Sequence, residues 1–92
     1  MSSYEILPYS YKQAKKLGVA IAPSQNKRKK IDIYKNGQYI CSIGDVNYYD
    51  YPTYLETKDK EYADKRRRLY HSRHKKDDVS NTRGWYALNI LW

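Results

Sequence analysis

Residues 31–43 read IDIYKNGQYICSI, and they carry the strongest local structural signal in the chain. The dipeptide Asn36-Gly37 stands between two runs rich in β-branched and aromatic residues. A type I′ turn prefers this dipeptide because both of its central residues need positive φ. The segment therefore predicts a β-hairpin closed by a two-residue turn.

The length of this turn also predicts which side chains pair across the hairpin. With two residues in the loop, Tyr34 faces Tyr39. One position further from the turn, Ile33 faces Ile40. Aromatic pairs then line one face of the hairpin and aliphatic pairs line the other, so both faces are expected to be partly covered.

Upstream of the hairpin, residues 9–18 have the marks of a short helix. Ser10 is a favourable N-cap residue, and Gly18 can adopt the left-handed conformation that ends many helices. The small and β-branched residues 19–22 then predict a short strand that ends at Pro23. A helix and a strand are thus expected before the hairpin.

Two helical patterns follow the hairpin. Residues 58–76, KDKEYADKRRRLYHSRHKK, predict one basic helix that holds nine of the eighteen Lys and Arg residues. Its predicted inward stripe, read from helical spacing, consists of Tyr62, Arg66, Leu69 and Arg73. Its predicted outer face consists of Lys65, Arg68, Lys75 and Lys76. Residues 84–92, GWYALNILW, also have apolar residues at helical spacing, with a strand as the alternative, and are expected to dock into the core.

These patterns predict an α+β fold in one compact domain that spans residues 1–92. A small antiparallel sheet is built on the hairpin, and the long basic helix packs against it together with short N- and C-terminal helices. The chain contains twelve Tyr, two Trp and no Phe. Most large side chains in the core therefore need a hydrogen-bond partner or a place at its edge.

Residues 44–55 combine four tyrosines with two acidic residues and contain no Lys or Arg. Pro52 in this segment, which we call the acidic tyrosine segment, predicts a short helical turn. We expect the tyrosines to pack in the core, with stacking on nucleic-acid bases as the alternative that exposed rings would favour. Arg66 and Arg73 are expected to hold this segment through its carboxylates or tyrosine hydroxyls. The alternative is an anion pocket between the basic helix and this segment.

The formal net charge of +8 and its concentration in one helix favour a polyanionic partner. Nucleic acid is the predicted partner, with DNA favoured over RNA. No helix-turn-helix, zinc-finger or RNP signature is present, so binding is expected to lack sequence preference. The predicted phosphate-binding residues are Lys27, Arg28, Lys29, Lys30, Lys65, Arg67, Arg68, Lys75 and Lys76.

The sequence predicts no catalytic residue, no cofactor and no metal. His71 and His74 stand three residues apart on the basic helix, and Cys41 is the one further soft ligand. Because the surrounding charge is positive, these histidines are better suited to protonation-dependent anion binding. The pairs Ile33-Tyr34 and Tyr39-Ile40, followed by an arginine-bearing helix, weakly resemble a GIY-YIG nuclease.

The predicted location is intracellular. A single cysteine excludes an internal disulfide and favours a reducing compartment. The longest uncharged apolar run, residues 17–23, is too short to cross a membrane, so no transmembrane association is expected.

Five segments carry a resemblance to a known family. They are DYPTYL (50–55), YADKRRRLYHSRHKKD (62–77), GWYALNILW (84–92), YSYKQAKKLGVAIAPS (9–24) and KKIDIYKNGQ (29–38). In these segments the chain resembles a family of small basic proteins of giant nucleocytoplasmic DNA viruses, mimivirus-like viruses and their relatives. The resemblance implies no catalytic residues. It implies a viral origin and a place in the viral factory of the host cytoplasm and in the virion interior.

The predicted function is therefore non-specific DNA binding and genome compaction, as a viral nucleoid or virion protein. Separation of the acidic tyrosine segment from the basic helix predicts a head-to-tail homo-oligomer. The first alternative is a minor structural protein of the particle that contacts acidic protein or membrane surfaces. The second is a degenerate nuclease of the GIY-YIG type.

Overall fold

The structure is a computed structural model, and it describes residues 4–92. It contains a three-stranded antiparallel sheet in the order β1-β2-β3, which confirms the α+β prediction. The strands are β1 (Ala20–Pro23), β2 (Lys29–Lys35) and β3 (Gln38–Asp45). The helices are α1 (Pro8–Leu17), α2 (Tyr51–Thr57), α3 (Lys60–Arg73) and α4 (Arg83–Ile90), with a 3₁₀ turn at Lys75–Asp77. No helix within residues 4–92 is both long and apolar enough to cross a bilayer.

The hairpin turn forms as predicted. Asn36 and Gly37 have φ angles of 54° and 79°, the positive values that a type I′ turn requires. Beside the turn, Tyr34 pairs with Tyr39, and their ring centroids lie 5.9 Å apart in an edge-to-face arrangement. The aromatic pair across the hairpin is therefore confirmed.

The second predicted pair is wrong because the strands contain a β-bulge. Ile40 is an extra residue in β3, so Ile33 faces Cys41 instead. Ile33 is fully buried, whereas Ile40 is exposed. One inserted residue moves every later side chain of a strand to the other face, which is why turn length alone did not predict this pairing.

The first helix begins earlier than predicted. Pro8 occupies its first turn, where a missing N–H costs nothing. Ser10 is not the N-cap; it lies fully buried inside α1, and its hydroxyl donates to the carbonyl oxygen of Ile90 at 2.9 Å. Gly18 ends the helix in the left-handed conformation, as predicted. The serine thus ties α1 to α4.

The basic helix is shorter than predicted. Asp59 caps α3 by accepting a hydrogen bond from the backbone N–H of Tyr62 at 2.7 Å. The helix ends at Arg73, and the chain tightens into the 3₁₀ turn. Lys75 and Lys76 therefore lie on that turn and not on the helix.

The predicted inward stripe of α3 is also wrong. Tyr62 and Leu69 remain 41% and 42% exposed. Ala63 is fully buried instead, and Tyr70 stacks on Trp92 with ring centroids 4.3 Å apart. Large side chains dominate an apolar pattern, so the small Ala63 gave no comparable signal although it is fully buried.

The core joins the sheet to all four helices. Its central aliphatic residues are Ile31, Ile33 and Ile43 from the hairpin, together with Ile90 and Leu91. Helix α4, which Thr82 caps, covers most of the apolar segment and confirms the helical prediction. Trp92 follows the helix and lies in the core, as expected. Several tyrosine hydroxyls bond to polar partners at the core's edge, such as that of Tyr51, which donates to Asp64 at 2.8 Å.

Candidate nucleic-acid interface

Lys30 belongs to a buried ion pair and not to the predicted basic loop. Its ammonium nitrogen lies 2.7 Å from Oδ2 of Asp50, and its side chain is almost fully buried. The hydroxyl of Tyr4 donates to the same oxygen at 2.7 Å, and Oδ1 accepts from the backbone N–H of Thr53. Burial, followed by the nearby Asp50 carboxylate, raises the pKa of Tyr4. Lys30 is therefore a structural residue, and its prediction as a phosphate contact is wrong.

This pair also explains why the arginines of α3 do not hold the tyrosine segment as predicted. Asp50 is fully buried, and its two oxygens are occupied by Lys30, Tyr4 and the N-terminus of α2. The guanidinium of Arg66 instead lies 5.8 Å from the ring centroid of Tyr54. Its buried Nε has no hydrogen-bond partner among the described residues.

Arg67 is exposed, but it also has an internal contact. Its Nε donates to the backbone oxygen of Trp92, and its guanidinium lies 5.3 Å from the ring centroid of Tyr51. These contacts hold α3 against Trp92, which follows α4, and against the first residue of α2. A phosphate contact by Arg67 stays a prediction.

Two predicted residues, Arg68 and Lys75, meet at an open depression of about 630 Å³ between α3, the 3₁₀ turn and α4. We call it the outer basin. It is lined by Arg68, His71, Ser72, Lys75, Asp78, Leu88 and Asn89. Arg68 and Lys75 are both exposed, so their charges are accessible to a ligand.

His71 adds a polar group to the outer basin. Its Nε2 is buried and has no hydrogen-bond partner within residues 4–92. A buried unpaired nitrogen costs free energy, which an oxyanion or a water molecule would recover. When protonated, this imidazole donates from both nitrogens and adds positive charge beside Arg68. Asp78 is the one acidic residue in the lining and opposes part of this charge.

Lys65 and Lys76 extend the exposed positive surface beyond the basin. Lys65 and Arg68 share a neighbouring hollow with Asp59 and Glu61, so two negative charges balance the two positive charges there. Lys76 is exposed on the 3₁₀ turn next to Lys75. Within the predicted outer face, Arg68 therefore shares one hollow with Lys65 and another with Lys75, and Lys76 follows on the 3₁₀ turn.

The remaining predicted residues lie on another side of the molecule. Lys27 and Arg28 are exposed in the connection between β1 and β2. The carbonyl oxygen of Arg28 accepts from the backbone N–H of Val46, which joins this connection to the segment after β3. Lys29, the first residue of β2, lines a second cavity.

This second cavity, which we call the tyrosine cleft, has a volume of about 470 Å³. It lies between the sheet, the segment after β3 and the end of α3. Its polar and aromatic lining consists of Lys29, Lys30, Asp45, Tyr48, Tyr49, Tyr54, Arg66, Tyr70, Arg73, His74 and Trp92. Its apolar floor consists of Gly44, Ala87 and Leu91.

The four tyrosines of residues 44–55 divide into two pairs. Tyr51 and Tyr54 are buried, as the packing prediction required. Tyr48 and Tyr49 are 70% and 58% exposed, so the prediction is wrong for these two. Exposed rings beside a cleft were the condition that favours base stacking.

The hairpin tyrosines line a shallow hollow on the sheet. Tyr34 and Tyr39 lie there with Asp32 and Ser42, and no arginine of the described residues lines it. The hydroxyls of Tyr39 and Ser42 are 2.7 Å apart, and Ser42 donates to Asp32. The weak resemblance to a GIY-YIG nuclease stays a prediction.

No family model, curated protein or solved structure matches this chain. The resemblance to a viral family thus stays a prediction. No cluster of three or more His, Cys, Asp or Glu within residues 4–92 is placed to hold a metal ion. His74, one of the two histidines considered as ligands, lies with its Nδ1 2.9 Å from Oδ2 of Asp77.

Proposed function

We propose that this protein binds DNA through its phosphates, without sequence preference, at the outer basin and its flanking lysines. One observation carries the proposal: Arg68 and Lys75, from different elements, line one open depression with a histidine whose Nε2 has no partner. Lys65 shares a neighbouring hollow with Arg68, and Lys76 is exposed next to Lys75. Together these residues offer several cations to a DNA backbone.

Phosphate contacts of this kind give affinity without reading sequence. Each Lys or Arg that neutralises a phosphate releases condensed counterions, which makes the affinity steeply salt-dependent. Sequence readout needs side chains that reach base edges in a groove. The outer basin offers a guanidinium, an ammonium and small polar groups on a concave surface, which fits a phosphate better than it fits a groove.

Genome compaction, the finer part of the proposal, needs one molecule to contact two segments of DNA. The outer basin and the tyrosine cleft share no lining residue and lie on different sides of α3. Two separate positive surfaces support bridging by a single copy. The head-to-tail contact through the acidic segment has less support, because Asp50 is used internally and leaves Asp45 as the exposed carboxylate. A viral nucleoid or virion role rests on the family resemblance.

The test is a fluorescence-anisotropy titration of random-sequence duplex DNA between about 50 and about 200 mM salt. The variant replaces Lys65, Arg68, Lys75 and Lys76 with Gln. If each contacts one phosphate, the log–log salt slope becomes shallower by about 3 to 4. A matched control replaces four exposed lysines elsewhere, which lowers the net charge by the same amount. These are Lys12, Lys15, Lys16 and Lys35.

The control separates the site from the overall charge. Equal weakening by both variants would assign binding to net charge alone and remove the outer basin from the interface. Absence of duplex binding by the native chain near physiological salt would reject the proposed function. In that case flotation with anionic vesicles tests the alternative of a structural particle protein that contacts a membrane surface.

A further inference from the structure

We propose that the tyrosine cleft binds one unpaired nucleotide, with its phosphate near Arg66 and Arg73 and its base on Tyr48 or Tyr49. The ligand class is a nucleoside monophosphate unit, either free or within a single strand. This inference rests on the proposed function only in taking nucleic acid as the source of that unit.

The charge of the cleft is suited to an anion. Lys29, Arg66 and Arg73 contribute three positive charges to its lining, and Asp45 contributes one negative charge. Lys30 is already neutralised by the buried Asp50. Asp45 accepts a hydrogen bond from the backbone N–H of Asn47, so part of its capacity is used in the turn after β3. The cleft therefore has a net positive lining.

Arg66 is the residue that most directly indicates an anionic ligand. Its guanidinium lies 5.8 Å from the ring centroid of Tyr54, and its Nε is buried without a partner among residues 4–92. A guanidinium in a partly buried position usually bonds to a carboxylate or phosphate. Asp50 is held by Lys30, and Asp45, which also lines the cleft, forms no ion pair with Arg66, so a ligand oxyanion is the partner that fits.

The aromatic residues explain why the ligand carries a base. Tyr49 packs edge-to-face on the buried Tyr54, with centroids 5.4 Å apart, so its ring is positioned although it is exposed. Tyr48 stands beside it and is the most exposed large side chain of the segment. Stacking of a base on such a ring contributes free energy without sequence preference. An inorganic anion would leave both rings unused.

The size of the cleft agrees with one nucleotide. Its volume of about 470 Å³ falls in the range of small-molecule pockets. The stacked rings of Tyr70 and Trp92 form part of its wall and belong to the packed interior. A base pair would have to open before the face of its base could stack on Tyr48 or Tyr49, so duplex DNA is not expected to enter.

The test is isothermal titration calorimetry of the full chain with three probes: deoxyadenosine monophosphate, deoxyadenosine and inorganic phosphate. The monophosphate is expected to bind with Kd below about 1 mM, and each of the other two at least about tenfold more weakly. A single-stranded oligodeoxyadenylate distinguishes the sources. Tighter binding of the oligomer assigns the site to a strand, and equal binding assigns it to a free nucleotide.

Variants locate the site. The double change Tyr48→Ser and Tyr49→Ser affects exposed side chains, so the fold should survive; it is expected to weaken the monophosphate by roughly tenfold or more. Arg73→Gln is expected to weaken it by a similar factor. The controls are Tyr11→Ser and Lys15→Gln, exposed on α1 and away from the cleft, which should change nothing.

The outcomes distinguish this inference from the proposed function. Phosphate binding as tightly as the monophosphate, or equal effects of cleft and control variants, would overturn the inference. So would absence of monophosphate binding by the native chain. The tyrosine variant should retain duplex binding with its salt slope. Absence of duplex binding by the native chain, with monophosphate binding present, would reject the proposed function and leave the cleft assigned.

Discussion

Replacing Lys30 by Met is the sharpest test of the electrostatic core of this protein. Methionine keeps the length and the apolar stem that passes beside Gly44, but it removes the ammonium group next to Asp50. The carboxylate then stays fully buried with only Tyr4 and Thr53 as hydrogen-bond donors. Breaking one side of a buried ion pair costs about 3 to 5 kcal/mol.

The size of the penalty follows from the burial of the carboxylate. Two hydrogen-bond donors remain to it, but no positive charge does. The destabilisation by Lys30→Met, relative to the native chain, should therefore be about 3 to 5 kcal/mol at pH 7. A domain of this size has about 5 to 14 kcal/mol in total.

Urea unfolding followed by circular dichroism at pH 7 measures this loss. Lys29→Met is the matched control, because Lys29 precedes Lys30 in β2 but only lines the tyrosine cleft. It should cost less than about 1 kcal/mol. The double variant Lys30→Met with Asp50→Asn should recover part of the loss by removing the buried charge. Equal losses for the two lysines, or no recovery in the double variant, would refute the buried-pair reasoning.

Two further predictions concern stability. Burial is the leading cause that raises the pKa of four tyrosines, which are Tyr4, Tyr9, Tyr51 and Tyr70. Their contribution to the free energy of unfolding is complete below the unfolded pKa of about 10 and is lost as the pH rises through their higher folded pKa values. Urea unfolding should therefore show stability falling above about pH 10, and a flat profile would contradict this. Gly44→Ala should cost about 2 to 5 kcal/mol of stability, because φ is 80° and the new Cβ would lie 2.7 Å from the side chain of Leu91. Gly18→Ala is the control: φ is 76°, but its Cβ would have no neighbouring atom within 4 Å, so it should cost about 1 to 2 kcal/mol in the same assay. Equal losses would show that the side chain of Leu91 moves aside without cost.

Sequence patterns predicted the elements of this fold better than their contacts. The hairpin turn followed from Asn36-Gly37 because the two positive φ angles are a local property of the chain. The bulge at Ile40 depends on how β3 packs against the rest of the core, and no local pattern marks it. The same distinction applies to α3: its existence was predicted correctly, but its predicted inward stripe was wrong.

The candidate site shows the same limit in its charges. Charge density identified the basic surface, and Arg68 and Lys75 do lie together at the outer basin. It did not distinguish Lys30 from the residues before it, because a buried lysine and an exposed one look alike in a basic run. Strand alternation did not mark it either, because β2 is buried at four successive positions, Lys30 to Ile33. Its partner Asp50 is twenty residues away, beyond any local pattern.

The two proposed binding surfaces lie on different sides of α3, and this bears on how one molecule would act on DNA. Tyr70 stacks on Trp92 at 4.3 Å and on His74 at 4.0 Å, and all three rings line the tyrosine cleft, whereas other residues of α3 line the outer basin. Sites without shared residues are expected to contribute independently. A duplex at the outer basin and an unpaired nucleotide in the cleft would then be held by one copy without competing. Bridging of this kind would need no oligomer, so compaction by a protein that stays monomeric in light scattering would agree with the proposal, provided that both surfaces bind.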